Sequence, residues 1–237
     1  MAHNPLEAVF VQQAARFRKA PNYRTSVYAA IKTAILAGEL APNQPLIEEQ
    51  LAASLNISRT PVREALAILQ HERLIGPNGS RGLYVRSLTR TEFVEMFVAN
   101  EVIEPYLARR AALNATDGQI EAIGAAVAQA ENALTRHHMA DFLQASRDFH
   151  RRLGIAAGNA ILTDFVLNNE ERADMYLLHS GKVIDAATMA VSVREHRSIY
   201  EALLQRDSEA AERLVIYHAQ SLRARLADLF SPPGEET

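Results

Sequence analysis

The chain has 237 residues, 48% of them hydrophobic, with no Cys and no Trp, which allows one large domain or two ordinary ones and excludes a disordered or fibrous chain. Without cysteine there are no disulfides, thiolate zinc sites, iron–sulfur clusters or cysteine nucleophiles, so a metal must be held by His, Asp or Glu. The 25 Lys and Arg against 28 Asp and Glu are unevenly spread: residues 1–90 carry 11 against 6, so a compact basic module precedes a larger acidic one, as when a nucleic-acid-binding domain is joined to a non-binding one.

No apolar run approaches the about 20 residues that span a bilayer, and no leader-like segment opens the chain, so a soluble, cytoplasmic protein is expected. Residues 1–22, with Pro5 and Pro21, read as an N-terminal extension with a short helix from Ala8 to Phe17. From Tyr23 to Ala37 the apolar positions Val27, Ile31, Ala34 and Ile35 recur at helical spacing, and Gly38 follows as a stop. After a loop with Pro42 and Pro45, two short helices, Ile47–Leu55 and Ser58–Leu69, are joined only by Asn56 and Ile57.

So tight a joint has the requirements of a helix-turn-helix. Leu51 and Leu55 lie one turn apart on the first helix, Ala52 is small enough for the crossing, and Asn56 tolerates positive φ. Ile57, Val62 and Ala65 close the core, Ser58 stands as N-cap, and Pro61 falls in the first turn, where its missing amide costs nothing. The recognition helix then begins at Arg59 and exposes Arg59, Thr60 and Arg63, two arginine forks and a hydroxyl suited to base edges and phosphates. The turn-rich stretch Ile75–Val85 reads as a β-hairpin wing that presents Arg81 and Gly82 to a second groove.

Beyond the wing everything reads as helix. Capping boxes at Thr89-Arg-Thr-Glu92 and Thr116-Asp-Gly-Gln119 start helices near 90 and 117. Further helices are expected at 139–156, 160–178, 192–205 and 208–229, the 192 start resting on a third box, Ser192-Val-Arg-Glu195. The expected fold is mainly α: residues 23–87 a winged helix-turn-helix with a small β-hairpin, residues 88–230 an all-α helical bundle, and 231–237 a tail. His150, His196 and His218 fall on three of these helices and could point inward, either as ligands of zinc, nickel or iron or as ordinary hydrogen-bonded core histidines. His137, His138 and His179 sit near helix ends and read as solvent-exposed, and the Phe93, Met96, Phe97 and Tyr106 stripe as core.

The run Ile35-Leu-Ala-Gly-Glu-Leu40 with Pro42, then Leu51-Ala, Ser58-Arg-Thr-Pro-Val-Arg-Glu-Ala-Leu66 and Gly82 to Val85 resembles the winged helix of the GntR family of bacterial transcription regulators, over residues 24–87. The resemblance implies operator contacts from Arg59, Thr60, Arg63 and the wing Gly82, with Ser58 and Arg81 read as DNA-binding from their places beside them, and binding of palindromic double-stranded DNA as a homodimer. Glu49 departs from the pattern where the fatty-acid-responsive type has an arginine. Asp148-Phe-His150, Gly158-Asn159, Glu195-His196, Asp207 and His218 are similar to the FCD ligand-binding domain of the FadR subfamily, over 92–229.

That second resemblance implies a divalent metal on His150, His196 and His218, but Ser146 stands where the family has an Asp ligand one turn before the first His. Asp148 is two residues from His150, about 200° around the helix, and cannot substitute. A three-histidine site, most readily zinc, is expected, with water, Ser146 or the effector completing it, the alternative being a metal-free polar pocket. Asn100 stands where the family often has arginine, so a carboxylate effector would lean on the metal, on Arg147 or on Arg172. The expected function is an effector-responsive transcription regulator, a repressor of a metabolic operon, and not an enzyme. The alternatives are a constitutive DNA-binding dimer and, further off, a His-ligated metal enzyme.

Overall fold

The computed structural model describes residues 23–78, 82–179 and 185–227. The expected helix Ala8–Phe17, Arg81 and the tail from 231 lie outside the described residues. The chain divides between Leu88 and Thr89 into two compact units.

In the first unit, α1 (Tyr23–Leu36) packs on α3 (Arg59–His71), with α2 (Glu48–Leu55) set against α3. Val27, Ile31, Ala34 and Ile35 of α1, Leu51 and Leu55 of α2 and Val62, Leu66 and Leu69 of α3 are all buried, in a core that excludes water almost entirely. Each buried aliphatic side chain contributes about 1.5–3 kcal/mol, which is what fixes the helix-turn-helix crossing. Asn56 ends α2 in the left-handed region at φ 53°, so the turn has the geometry its residue allows. Ile57 is only half-buried, a lesser part of the core than its apolar side chain suggests. Strands β1 (Ile75–Gly76) and β2 (Tyr84–Val85) pair antiparallel, Ile75 opposite Val85. A bridge from Pro45 to Tyr84 and a bond from Leu46 N–H to the Leu83 carbonyl, 2.8 Å, add the preceding loop as a third strand.

The second unit is a bundle of α4 (Arg90–Asn114), α5 (Asp117–Thr135), α6 (Met139–Ala157), α7 (Ala160–His179), α8 (Ala186–Leu204) and α9 (Ser208–Arg225). Both capping boxes form: Thr89 and Thr116 accept from the amides of Glu92 and Gln119, whose side chains reach back to the cap amides. Gly158 closes α6 at φ 70° and Asn159 opens α7 by accepting from the Leu162 amide. The box at Ser192–Glu195 does not form. Helix α8 starts six residues earlier, capped by Asp185 on the Thr188 amide, so His196 lies well inside its helix and not in its first turns. Leu107, Ile123, Phe149, Leu153, Ile199 and Leu203 form the core together with many buried alanines, which let the helices approach closely. The closest approach is at buried Gly154 on α6, where a Cβ would stand 2.5 Å from Thr163 Oγ1 on α7. Among the described residues no helix is long and apolar enough to cross a membrane.

Candidate functional site

In the first unit, Ser58 occupies the N-cap of α3 as expected, but its hydroxyl makes no bond to the helix amides. Arg59 and Arg63 are exposed on the first turns of α3, and both face Glu48 at the start of α2. The Arg63 Nε–H donates to Glu48 Oε1 at 2.8 Å and Oε2 at 3.0 Å, while an Arg59 terminal nitrogen comes to 4.0 Å. The Arg63 hydrogen bond holds the Glu48 carboxyl below its usual range. Thr60 is exposed beside them, and Gly82 takes φ 128°, a backbone shape that L side chains rarely adopt. Together they make a small polar surface, rich in arginine, at the end of one helix, the shape and chemistry of a groove reader.

In the second unit the three histidines converge. His150 of α6, His196 of α8 and His218 of α9 each bring one ring nitrogen within 4.8 Å of the others, all three buried. His196 stacks on Phe149 with ring centroids 4.2 Å apart, and its Nε2 lies 3.3 Å from Nε2 of His218. The other nitrogen of His218, Nδ1, is 2.7 Å from Glu195 Oε2, so its N–H donates to the carboxylate and the lone pair is left on Nε2. Glu104 Oε2 stands 2.7 Å from Nδ1 of His150.

Electrostatics gathers positive charge at this point. Burial opposes a proton on His150, but Glu104 and Glu170 outweigh it and raise its pKa to about 9. Burial likewise works against the Glu195 charge, yet hydrogen bonds from His218, Arg225 and Ser221 hold its carboxyl down at about 2. His196, with no nearby carboxylate to help, is pushed well below its ordinary value by burial and by its two histidine neighbours, and stays a neutral imidazole. Its buried Nδ1 has no hydrogen-bond partner. The residues present fit a divalent cation, whose binding would displace the proton that Glu104 and Glu170 favour on His150: three imidazole nitrogens, carboxylates against two of the rings, and a 3.3 Å nitrogen spacing. Two nitrogens bound at about 2.0–2.1 Å in a tetrahedral arrangement lie roughly that far apart.

Beside the trio opens a cavity of about 80 Å³, where roughly 10–15 Å³ admits one water. His150 and His218 line it, with Ser146 on the same wall and Phe93, Phe97 and Phe142 as its apolar side. Phe93 and Met96 are buried core as expected, Phe93 also lining the cavity beside the part-buried Phe97, whereas Tyr106 is 46% exposed and not core.

The expected effector residues divide. Ser146 and Asn100 reach the cavity; Arg147 and Arg172 are not among its lining residues. Arg147 is ion-paired with Asp174, and Arg172 lies 3.5 Å from Glu92. Burial lowers the Arg147 pKa, and Asp174, which does line the cavity, holds its guanidinium. Asp148 bonds Arg151 and Arg152, as its position on the helix requires. His138 caps α6 and His137 is exposed, while nothing is described of the His179 side chain. Sequence reasoning gave no role to the carboxylates Glu104, Glu170 and Glu195. The S-x-x-E pattern at 192–195 did single out Glu195, but as a cap.

Comparison with known proteins bears on both units. Residues 23–85 match the family of bacterial regulatory proteins, gntR family, and residues 95–221, over half of the chain, match the FCD domain. The chain is similar to the HTH-type transcriptional repressor RspR of Escherichia coli (strain K12), 29% identical over 196 residues, or 83% of this chain and 85% of that protein. It is 31% identical over 208 residues to the HTH-type transcriptional repressor NanR of Citrobacter rodentium, 79% of this chain and 76% of that one. In fold it is similar to the solved structure of E. coli McbR/YncC, with TM-score 0.75 and 20% identity over 88% of this chain and 98% of that one.

Proposed function

Since the chain belongs to the gntR family of bacterial regulatory proteins and carries an FCD domain, we propose that it represses a metabolic operon as a homodimer on a palindromic operator until a small carboxylate metabolite binds its helical unit. It is a DNA-binding transcription regulator with an effector domain, not an enzyme. That the relatives RspR and NanR are named repressors supports the direction of control.

Arg59 and Arg63 read base edges, Ser58 and Thr60 hold phosphates, and the wing inserts through Arg81 and Gly82. In the helical unit His150, His196 and His218 hold a divalent ion, zinc by its preference for imidazole, which when bound supplies a Lewis-acid anchor for an effector carboxylate. Ser146 lines the space left beside it, Arg147 holds the lining residue Asp174 and not the ligand, and Arg172 faces Glu92 away from the lining. The effector acts by binding one of two protein states more tightly, and a few kcal/mol of such preference suffices to release an operator.

The observation that carries this reading is the convergence of three buried imidazoles, two of them backed by carboxylates, beside a cavity in a chain that also presents a helix-turn-helix. The test is binding to duplexes selected by the protein from a random pool, read by fluorescence anisotropy. Arg59→Ala with Arg63→Ala lowers affinity at least about 30-fold, since each well-placed arginine is worth about 1–3 kcal/mol. Unchanged affinity sinks the DNA-reading assignment, and an operator complex that no metabolite dissociates sinks the effector assignment in favour of constitutive binding.

A further inference from the structure

The cavity beside the histidine trio has a chemical polarity of its own. Among the described residues that line it are four carboxylates, Glu101, Glu104, Glu170 and Asp174, and no Lys or Arg. Three of the four already have a basic partner: Glu101 pairs with Arg223, Asp174 with Arg147, and Glu104 with His150. Glu170, on α7, is different. Its Oε1 accepts from Asn100 Nδ2 at 3.0 Å, and among the described residues no cationic side chain pairs with it.

Glu170 is nonetheless held in a fixed pose. Asn100 is buried, and its amide is committed on both sides, donating also to the Val166 carbonyl at 3.4 Å and accepting from Asn169 Nδ2 at 3.0 Å. Asn100 and Asn169, both buried polar side chains on different helices, thus act as a bracket that presents the Glu170 carboxylate to the cavity, whose wall also carries His150, itself only 7% exposed. Glu170 is part-buried and feels the charges of His150 and His218, and in a cavity whose described lining holds four carboxylates and no Lys or Arg a cationic ligand group is the natural complement.

We infer that the effector is an amino-carboxylate, its carboxylate directed to the histidine trio and an ammonium group directed to Glu170, with a short apolar body against Phe93, Phe97 and Phe142. This rests on the effector reading above and adds the second functional group. A dicarboxylate of equal length brings its far carboxylate against Glu170 in a cavity wall that offers no arginine to receive it, and is rejected by like-charge repulsion.

The experiment titrates the full-length, zinc-loaded chain by calorimetry with 4-aminobutyrate and 5-aminopentanoate against succinate and glutarate. Each pair matches in length and near carboxylate and differs at the far end. Zinc content is measured on the same samples. At least one amino acid binding ten times or more tightly than its dicarboxylate partner, with that ratio falling towards one in Glu170→Gln, is the expected result. The glutamine keeps an oxygen for Asn100, so its fold does not depend on the lost charge. Zinc bound with dicarboxylates equal or tighter, or with none of the four binding, overturns the amino-carboxylate and leaves the regulator reading standing. No zinc and no binding by any probe overturns the metal-anchored effector pocket itself, and this inference with it.

Discussion

Gly154 is where the bundle tolerates least, and Gly154→Ala measures how little. A Cβ there stands 2.5 Å from Thr163 Oγ1 and 2.7 Å from its Cγ2, about 1 Å inside ordinary contact with two atoms at once. Thr163 cannot swing aside: its β-branched side chain has few helical rotamers, and its hydroxyl donates to the Asn159 carbonyl at 2.7 Å. Overpacking of this kind costs about 1–3 kcal/mol, and an overlap on two anchored atoms belongs at the upper end. Alanine returns roughly 1 kcal/mol of helix propensity, which leaves a net loss of about 2 kcal/mol and a melting temperature lower by about 4–8 °C. In a Thr163→Ala background both offending atoms are gone, only the Cβ at 3.0 Å remains, and the same glycine replacement becomes close to neutral. The assay is urea and thermal unfolding of the four proteins of the double-mutant cycle, followed by far-UV circular dichroism. A Gly154→Ala protein more stable than the parent, or a coupling below about 0.5 kcal/mol, refutes the close approach of α6 and α7.

Zinc at about a hundred times its Kd adds roughly 2.7 kcal/mol to stability, so melting rises by about 5–10 °C, falls back with chelator, and does not rise in His196→Ala or His218→Ala. Scanning calorimetry with and without metal checks this, and an identical rise in the variants removes the trio from the site. Thr116→Ala opens the capping box of α5 and lowers stability by about 1 kcal/mol, measured by urea unfolding, whereas Ser192→Ala leaves no capping deficit because Asp185 caps α8. Glu48→Gln frees Arg63 from its carboxylate and raises affinity for random-sequence DNA several-fold at low salt, read by anisotropy; a fall would mean that Glu48 assists the arginines.

The helix-turn-helix was legible because its constraints are local. Asn56 in the left-handed turn, Ala52 at the crossing and Pro61 in the first turn of α3 lie within ten residues, where spacing fixes geometry. The histidine trio was only half legible. Residue type singled out His150, His196 and His218, but 46 and 22 residues of chain separate them, and only the bundle brings their nitrogens together. The start of α8 was misread for a physical reason: Ser192 and Glu195 carry the spacing of a capping box, yet the serine hydroxyl accepts from Arg225 and the carboxylate serves His218 and Arg225. A polar pair three residues apart on a helix looks the same at an end and in a buried network. Arg147 and Arg172 were offered to a ligand because their partners, Asp174 and Glu92, are supplied by other helices.

The Ser58 hydroxyl, sitting at the N-cap of α3 without making the cap bond, gives the recognition helix an unfinished first turn. Pro61 has no amide to offer, so the orphan donors there belong to the residues just ahead of it, Arg59 and Thr60, both exposed. On operator DNA a backbone phosphate drawn to that end by the helix dipole would complete the turn from outside. Such a contact would leave the helix stiffer on DNA than off it, and the expected outcome is that amide hydrogens in the first turn of α3 exchange with solvent more slowly in the complex than in the free protein, an unchanged rate removing the contact. The segment proposed to read the groove would thus report its own occupancy through the exchange of its first-turn amides.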